Sequence, residues 1–89
     1  MSYQVLMRKR VIKQAEALPE NIRARFQALV YDLRQTGPHQ PSWPNYSKLT
    51  DGYHCHLTHH WVACWRYDKG TITIEVYYVG SRQNAPYGS

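Results

Sequence analysis

The chain is short of acid, of cysteine and of long apolar runs, and each shortage excludes something. Only 6 Asp and Glu stand against 11 Lys and Arg, a formal net charge of +5 with histidine neutral. That balance favours an anionic partner: nucleic acid, an acidic protein or an anionic membrane surface. Two cysteines, Cys55 and Cys64, are too few and too far apart for a zinc knuckle, and there is no CxxC pair. In a reducing cytosol both are expected as free thiols. No run of about 18 apolar residues occurs, so no segment is expected to span a membrane. The first ten residues, MSYQVLMRKR, hold no apolar stretch of signal-peptide length, which leads to the expectation of a bacterial-type cytoplasmic protein. Repeats and low-complexity tracts are missing too.

What is present suffices for one domain over residues 1–89 with one modest core. Residues 3–7 are rich in strand formers. Over residues 8–18, Val11, Ile12, Ala15 and Leu18 recur at helical spacing. Pro19 suits the first turn of a second helix, whose apolar positions Ile22, Phe26, Leu29, Val30 and Leu33 form one face. Gly37 and Pro38 end that helix, giving a helical hairpin. A loop over residues 37–46 carries three prolines. Residues 47–50 fit a short edge strand, Asp51-Gly52 a turn, and residues 53–57, 61–66 and 71–79 three further strands. The expected class is α+β: strand, helical hairpin, antiparallel sheet.

Register assigns faces to the strands. Pairing Trp65 with Ile74, Ala63 with Val76 and Trp61 with Tyr78 collects those six on one apolar face. The other face then holds Val62, Cys64, Arg66, Thr73, Glu75 and Tyr77. A three-residue turn, Thr58-His59-His60, sets Val62 opposite His56 and Cys64 opposite His54. Both histidines join the polar face, Tyr53, Cys55 and Leu57 join the core, and the two cysteines part to opposite faces. Helices can cover the apolar face alone, so the polar face is where a site is expected.

The His54-x-His56 pair projects two imidazoles to one side of a strand, where they could move protons near neutral pH. The rival is a metal site using His59, His60, Glu75 or Cys64; the plainer alternative is two partly exposed histidines without a role. Arg82, just past the last strand, could hold a phosphate or be an ordinary surface arginine. Tyr87 could act as an acid, stack under a base, or simply pin the tail. Glu75 could be a base or an ion-pair partner for Arg66 across the strands, and the structural reading is preferred. Of the three tryptophans that could be base-stacking platforms, register puts Trp61 and Trp65 in the core, while Trp43, in its loop, stays a candidate. Lys48, Arg8, Lys9, Arg10, Lys13, Arg23 and Arg25 could form a phosphate-tracking field or a solvated surface.

The element order, and the pattern YHCHL…WVACW…IEVYYVGSR…APY, resemble the RelE/ParE superfamily of bacterial toxins, on its RelE/HigB-like branch. The resemblance spans nearly the whole chain and is strongest over residues 46–87. It implies a ribonuclease-like fold with a concave sheet face, mRNA cleavage in the ribosomal A site without metal or other cofactor, and neutralisation by a cognate antitoxin. Basic positions on the family's strand match His54 and His56. The arginine after the last strand matches Arg82, and the C-terminal tyrosine matches Tyr87, one residue closer to the arginine. Lys48, Arg66 and Tyr77 are the expected RNA contacts. The family's middle-strand arginine falls at or near Val62, a departure that leaves Arg66, another cation or the histidines to compensate. ParE-like relatives share the fold but inhibit DNA gyrase, which is the alternative expectation; the His-Arg-Tyr set favours the nuclease.

Overall fold

A computed structural model describes residues 2–86. Strand β1 (Gln4–Met7) leads into helix α1 (Lys9–Glu16) and helix α2 (Glu20–Thr36). Strands β2 (Ser47–Leu49), β3 (Gly52–His56), β4 (Trp61–Tyr67) and β5 (Thr73–Ser81) follow, then a 3-10 turn over Arg82–Asn84. The five strands form one sheet in the order β1-β5-β4-β3-β2. β1 runs parallel to β5; the other pairs are antiparallel. The expected α+β order holds, including the short edge strand, β2.

Helix α2 forms for the reasons its pattern gives. Ile22, Phe26, Leu29, Val30 and Leu33 are all buried, a stripe that faces the sheet. Glu20 in the first turn and Arg34 in the last complement the helix dipole. Pro19 sits one position earlier than expected, as the N-cap. Gly37 ends the helix at φ 94°, and a Cβ there would lie 2.8 Å from the Tyr3 ring, so both backbone and space require glycine. Helix α1 is shorter than its pattern. Val11 is its buried residue, while Ile12, expected in the core, is 44% exposed. Eight residues make little more than two turns, and the second apolar position points away from the sheet. α1 has another task. β1 pairs with β5 only over Thr73–Val76, and Gln14 Oε1 accepts from the Val79 N–H farther along that edge (3.2 Å).

One face of the sheet carries the main core: Tyr53, Cys55, Leu57, Ala63, Trp65, Ile74, Val76 and Val79, packed with the α2 stripe. The proline loop closes this core at the β3 side. Trp65, fully buried, donates its indole N–H to the Pro38 carbonyl at 3.0 Å. Tyr46, Tyr53 and Trp65 stack at 6.1–6.2 Å. Trp43, a candidate base-stacking platform in the sequence, packs against the core and donates to Asp32 Oδ2 at 2.9 Å.

Register departs from expectation in one hairpin. β3 and β4 pair as predicted, His54 with Cys64 and His56 with Val62. Between β4 and β5, Trp65 faces Val76 and Tyr67 faces Ile74, two residues away from the expected pairing. The parity is unchanged, so Trp65, Ile74 and Val76 still face the core. Then the register shifts between Cys64 and Trp65, leaving Tyr77 as an extra residue on β5. Beyond this bulge Cys64 faces Tyr78 and Ala63 faces Val79. Tyr78, expected in the main core beside Trp61, instead joins Val62 and Cys64 in a small cluster on the other face. Gly80 makes the room: a Cβ there would stand 2.8 Å from the Tyr78 hydroxyl. Among the described residues no helix is long and apolar enough to cross a membrane.

Candidate functional site

The face away from the helices is built on a dry floor. Val62 and Cys64 are fully buried under Tyr77 and Tyr78, with Ala85 alongside. At its β3 side stand His54 and His56, their ring centroids 5.9 Å apart. Both are buried, with 9% and 6% exposure, rather than partly exposed. Each is braced at Nδ1 by a residue from the preceding segment: Ser47 Oγ lies 3.0 Å from His54, Asn45 Nδ2 lies 3.2 Å from His56. With its amide nitrogen donating, Asn45 places the His56 proton on Nε2; with the amide turned over, Nε2 becomes the base. Asn45 has φ 52°, a left-handed conformation that asparagine tolerates better than most residues. The same turn is tied to the strand by the His56 N–H donating to the Pro44 carbonyl at 2.8 Å. Sequence alone marks Pro44-Asn45 as a turn but carries no sign that it meets a histidine 11 positions on.

Electrostatics around the pair are set by burial and by like charge. Burial first, then His56, pushes the His54 pKa below its ordinary value. His56 is lowered by burial first, then by Arg82 and His59. Both rings are therefore held toward their neutral, proton-accepting form near pH 7.

Arg82 occupies the neighbouring corner. Its backbone N–H donates to the His60 carbonyl at 2.8 Å, joining the end of β5 to the β3–β4 turn. A cavity of about 280 Å3 is lined there by His60, Ser81, Arg82 and Gln83. His59 and His60, whose directions a turn does not reveal in sequence, lie edge-to-face at 4.6 Å. The structure thus gathers His54, His56, His59, His60 and Arg82 at one end of the face.

The other predicted residues fall elsewhere. Lys48 pairs with Tyr53; strand alternation puts it on the side of the core, away from Ser47 and His54. Arg66 and Tyr77 share the histidine face, but Arg66 is four residues beyond Val62, roughly 13 Å by the strand rise. It does not fill the place of a cation at Val62. Tyr87 lies outside the described residues. Glu75 is an ion-pair centre as expected, 3.0 Å from Arg8 and 3.6 Å from Arg66. Several arginines of the expected phosphate field have structural duties: Arg8 on Glu75, Arg23 on the Glu16 carbonyl, Arg25 on the Leu57 carbonyl. Cys55 and Cys64 are free and face opposite sides. Burial pushes each thiol up to about 12, so neither is a thiolate at neutral pH. Among the described residues no three His, Cys, Asp or Glu side chains gather to hold a metal.

No family model matches the sequence. No curated protein matches it either. Solved structures do. RelE from the RelE–RelB complex of Pyrococcus horikoshii OT3 superposes with a TM-score of 0.79 at 21% identity, over 96% of this chain and 100% of that one. The chain has the RelE fold. A mutant of E. coli toxin RelE in the free state matches with TM-score 0.75 at 14% identity, over 98% of this chain and 90% of that one. YoeB from a Staphylococcus aureus dimer gives 0.70 at 10% identity, over 90% and 97%. The RelE-like architecture extends across the chain, and the histidine pair sits on its helix-free sheet face.

Proposed function

We propose that this chain is the toxin of a type II toxin–antitoxin system, a metal-independent endoribonuclease that cuts mRNA in the ribosomal A site. One observation carries the reading: two buried, braced imidazoles 5.9 Å apart, one within the field of Arg82. In-line cleavage of RNA needs a base for the 2′-hydroxyl, a cation for the phosphate and an acid for the leaving 5′-oxygen. One histidine of the pair takes the 2′-hydroxyl proton, and that oxygen attacks the adjacent phosphorus. Arg82 holds the phosphate as charge builds on it. The second histidine or Tyr87 protonates the departing oxygen, leaving a 2′,3′-cyclic phosphate and a 5′-hydroxyl. Burial supports the base role, because a ring held neutral is ready to accept a proton. A cytoplasmic site of action follows from this reading. The cognate partner is an antitoxin, as RelB is for RelE and YefM for YoeB in the matched complexes.

The test is induction of wild type and the variants His54→Ala, His56→Ala, Arg82→Ala and Tyr87→Ala in growing cells, with primer extension on mRNA. The expected result is new transcript ends with wild type and a loss of at least about 100-fold with the histidine or arginine variants, the scale of one acid–base or electrostatic group. Intact transcripts together with a DNA-damage response would reject the nuclease in favour of a gyrase-directed toxin.

A further inference from the structure

At the end of the same face remote from Arg82, four side chains meet that the proposed chemistry leaves unused. The Arg66 guanidinium lies over the Tyr77 ring, its carbon 4.0 Å from the centroid. Glu75 forms an ion pair with Arg66 at 3.6 Å and accepts from Arg8 at 3.0 Å. Tyr77 is the extra residue of the β5 bulge. It reaches over β4 as far as β3, since a Cβ on Gly52 would sit 3.4 Å from its ring. Its ring packs on the buried cluster of Val62, Cys64 and Tyr78. The ring is thus seated on the floor of this face, and the guanidinium rests on it. A cavity of about 330 Å3 opens beside it, lined by Leu6, Arg66, Tyr67, Asp68, Thr73 and Glu75.

The arrangement decides what Arg66 can offer. Glu75 engages its edge and offsets its charge. Tyr77 lies against it, the ring centroid 4.0 Å from the guanidinium carbon. Yet 47% of the side chain is exposed. A guanidinium so placed presents a plane rather than a free charge, and an unpaired nucleobase is the flat ligand that stacks on such a plane. Position agrees. Cys64 lies opposite His54, and Arg66 is the next residue of β4 on that face, roughly 7 Å farther along the strand. That is the scale of a step from one nucleotide to its neighbour.

We propose that Arg66, seated between Tyr77 and Glu75, is the shelf on which the base next to the cleaved nucleotide stacks, and so a determinant of which RNA is held. The proposal rests on the ribonuclease reading but is tested by binding alone. The probe is a single-stranded RNA of mixed sequence with a 2′-O-methyl group on every ribose, which removes the nucleophile. Its Kd is measured across a salt series for wild type, Arg66→Ala and Arg66→Lys, with thermal melting confirming that each variant is folded.

The shelf predicts that Arg66→Ala weakens binding by at least about fivefold, the loss of one base stack. It also predicts an unchanged slope of log Kd on log salt, because no phosphate contact is lost. Arg66→Lys keeps the charge without the plane and should bind as poorly as Arg66→Ala. Restoration by lysine, or a slope reduced by about one, would mean a phosphate contact and would overturn the shelf. Unchanged affinity in both variants would overturn it too and leave Arg66 to a protein partner. A wild type that binds the probe through Arg66 yet cuts no RNA in cells refutes the nuclease alone. A wild type that cuts RNA with binding indifferent to Arg66 refutes the shelf alone.

Discussion

His56 is the residue on which most of the local structure converges. Asn45 braces one ring nitrogen at 3.2 Å, and the ring sits among Arg82, His59 and His54. Asn45 does two things at once, holding a left-handed turn and orienting a ring. The two are separable. Asn45→Gly keeps the backbone conformation and removes the amide, so its stability should fall by about 1 kcal/mol, the loss of one hydrogen bond to a buried ring. Its single-turnover cleavage should fall, with a displaced pH–rate profile, because the ring loses the contact that sets its tautomer. Asn45→Ala adds the cost of the left-handed backbone, roughly 1 kcal/mol. Wild-type rate and profile in Asn45→Gly would show that this contact does nothing for the chemistry. Little of this is legible in the chain itself. His54, His56 and Arg82 stand out there because period-two spacing on a strand is a strong local rule. Asn45 and Ser47 do not, because their meeting with the histidines is made by the fold of a loop.

At the scale of elements, the bulge in β5 is the feature that shapes the site. It brings Tyr78 onto the histidine face beside Tyr77 and hands the core position to Val79. Period-two alternation hides an inserted residue, and two successive tyrosines give no clue to which is the extra one. The strands and the β3–β4 register were legible because one face must be apolar throughout. Gly80 is the test of the bulge. Gly80→Ala puts a Cβ 2.8 Å from the Tyr78 hydroxyl and should cost about 1–3 kcal/mol in urea unfolding. In a Tyr78→Val background the same substitution should cost much less, a coupling of at least about 0.5 kcal/mol. Additive effects of the two changes would mean that Tyr78 does not sit over Gly80.

For the molecule as a whole, burying two histidines ties folding to pH. Their native pKa values lie below the ordinary histidine value of about 6.5, chiefly through burial. The unfolded chain therefore takes up protons first as pH falls, and stability drops with it. This part of the stability is complete above about 6.5 and is lost through the interval down to the native values. Urea unfolding of wild type should thus show a lower midpoint at pH 5 than at pH 7.5, and His54→Gln with His56→Gln should flatten that difference. An equal drop in the double variant would place the acid sensitivity elsewhere.

The sequence by itself determined the fold class, the helical stripe, the apolar sheet face and the strand that bears the histidines. All of these follow from periodicity and local backbone preference, which act within a few residues. Only the tertiary structure decided that β1 lies parallel beside β5, that Trp43 is pinned to α2, that Lys48 leaves the site and that Arg25 serves the β3–β4 turn. It also decided that His59 and His60 join Arg82 and that Arg66 rests on Tyr77. Each of these joins positions far apart in the chain through a loop or an irregular register, and neither has a period to read.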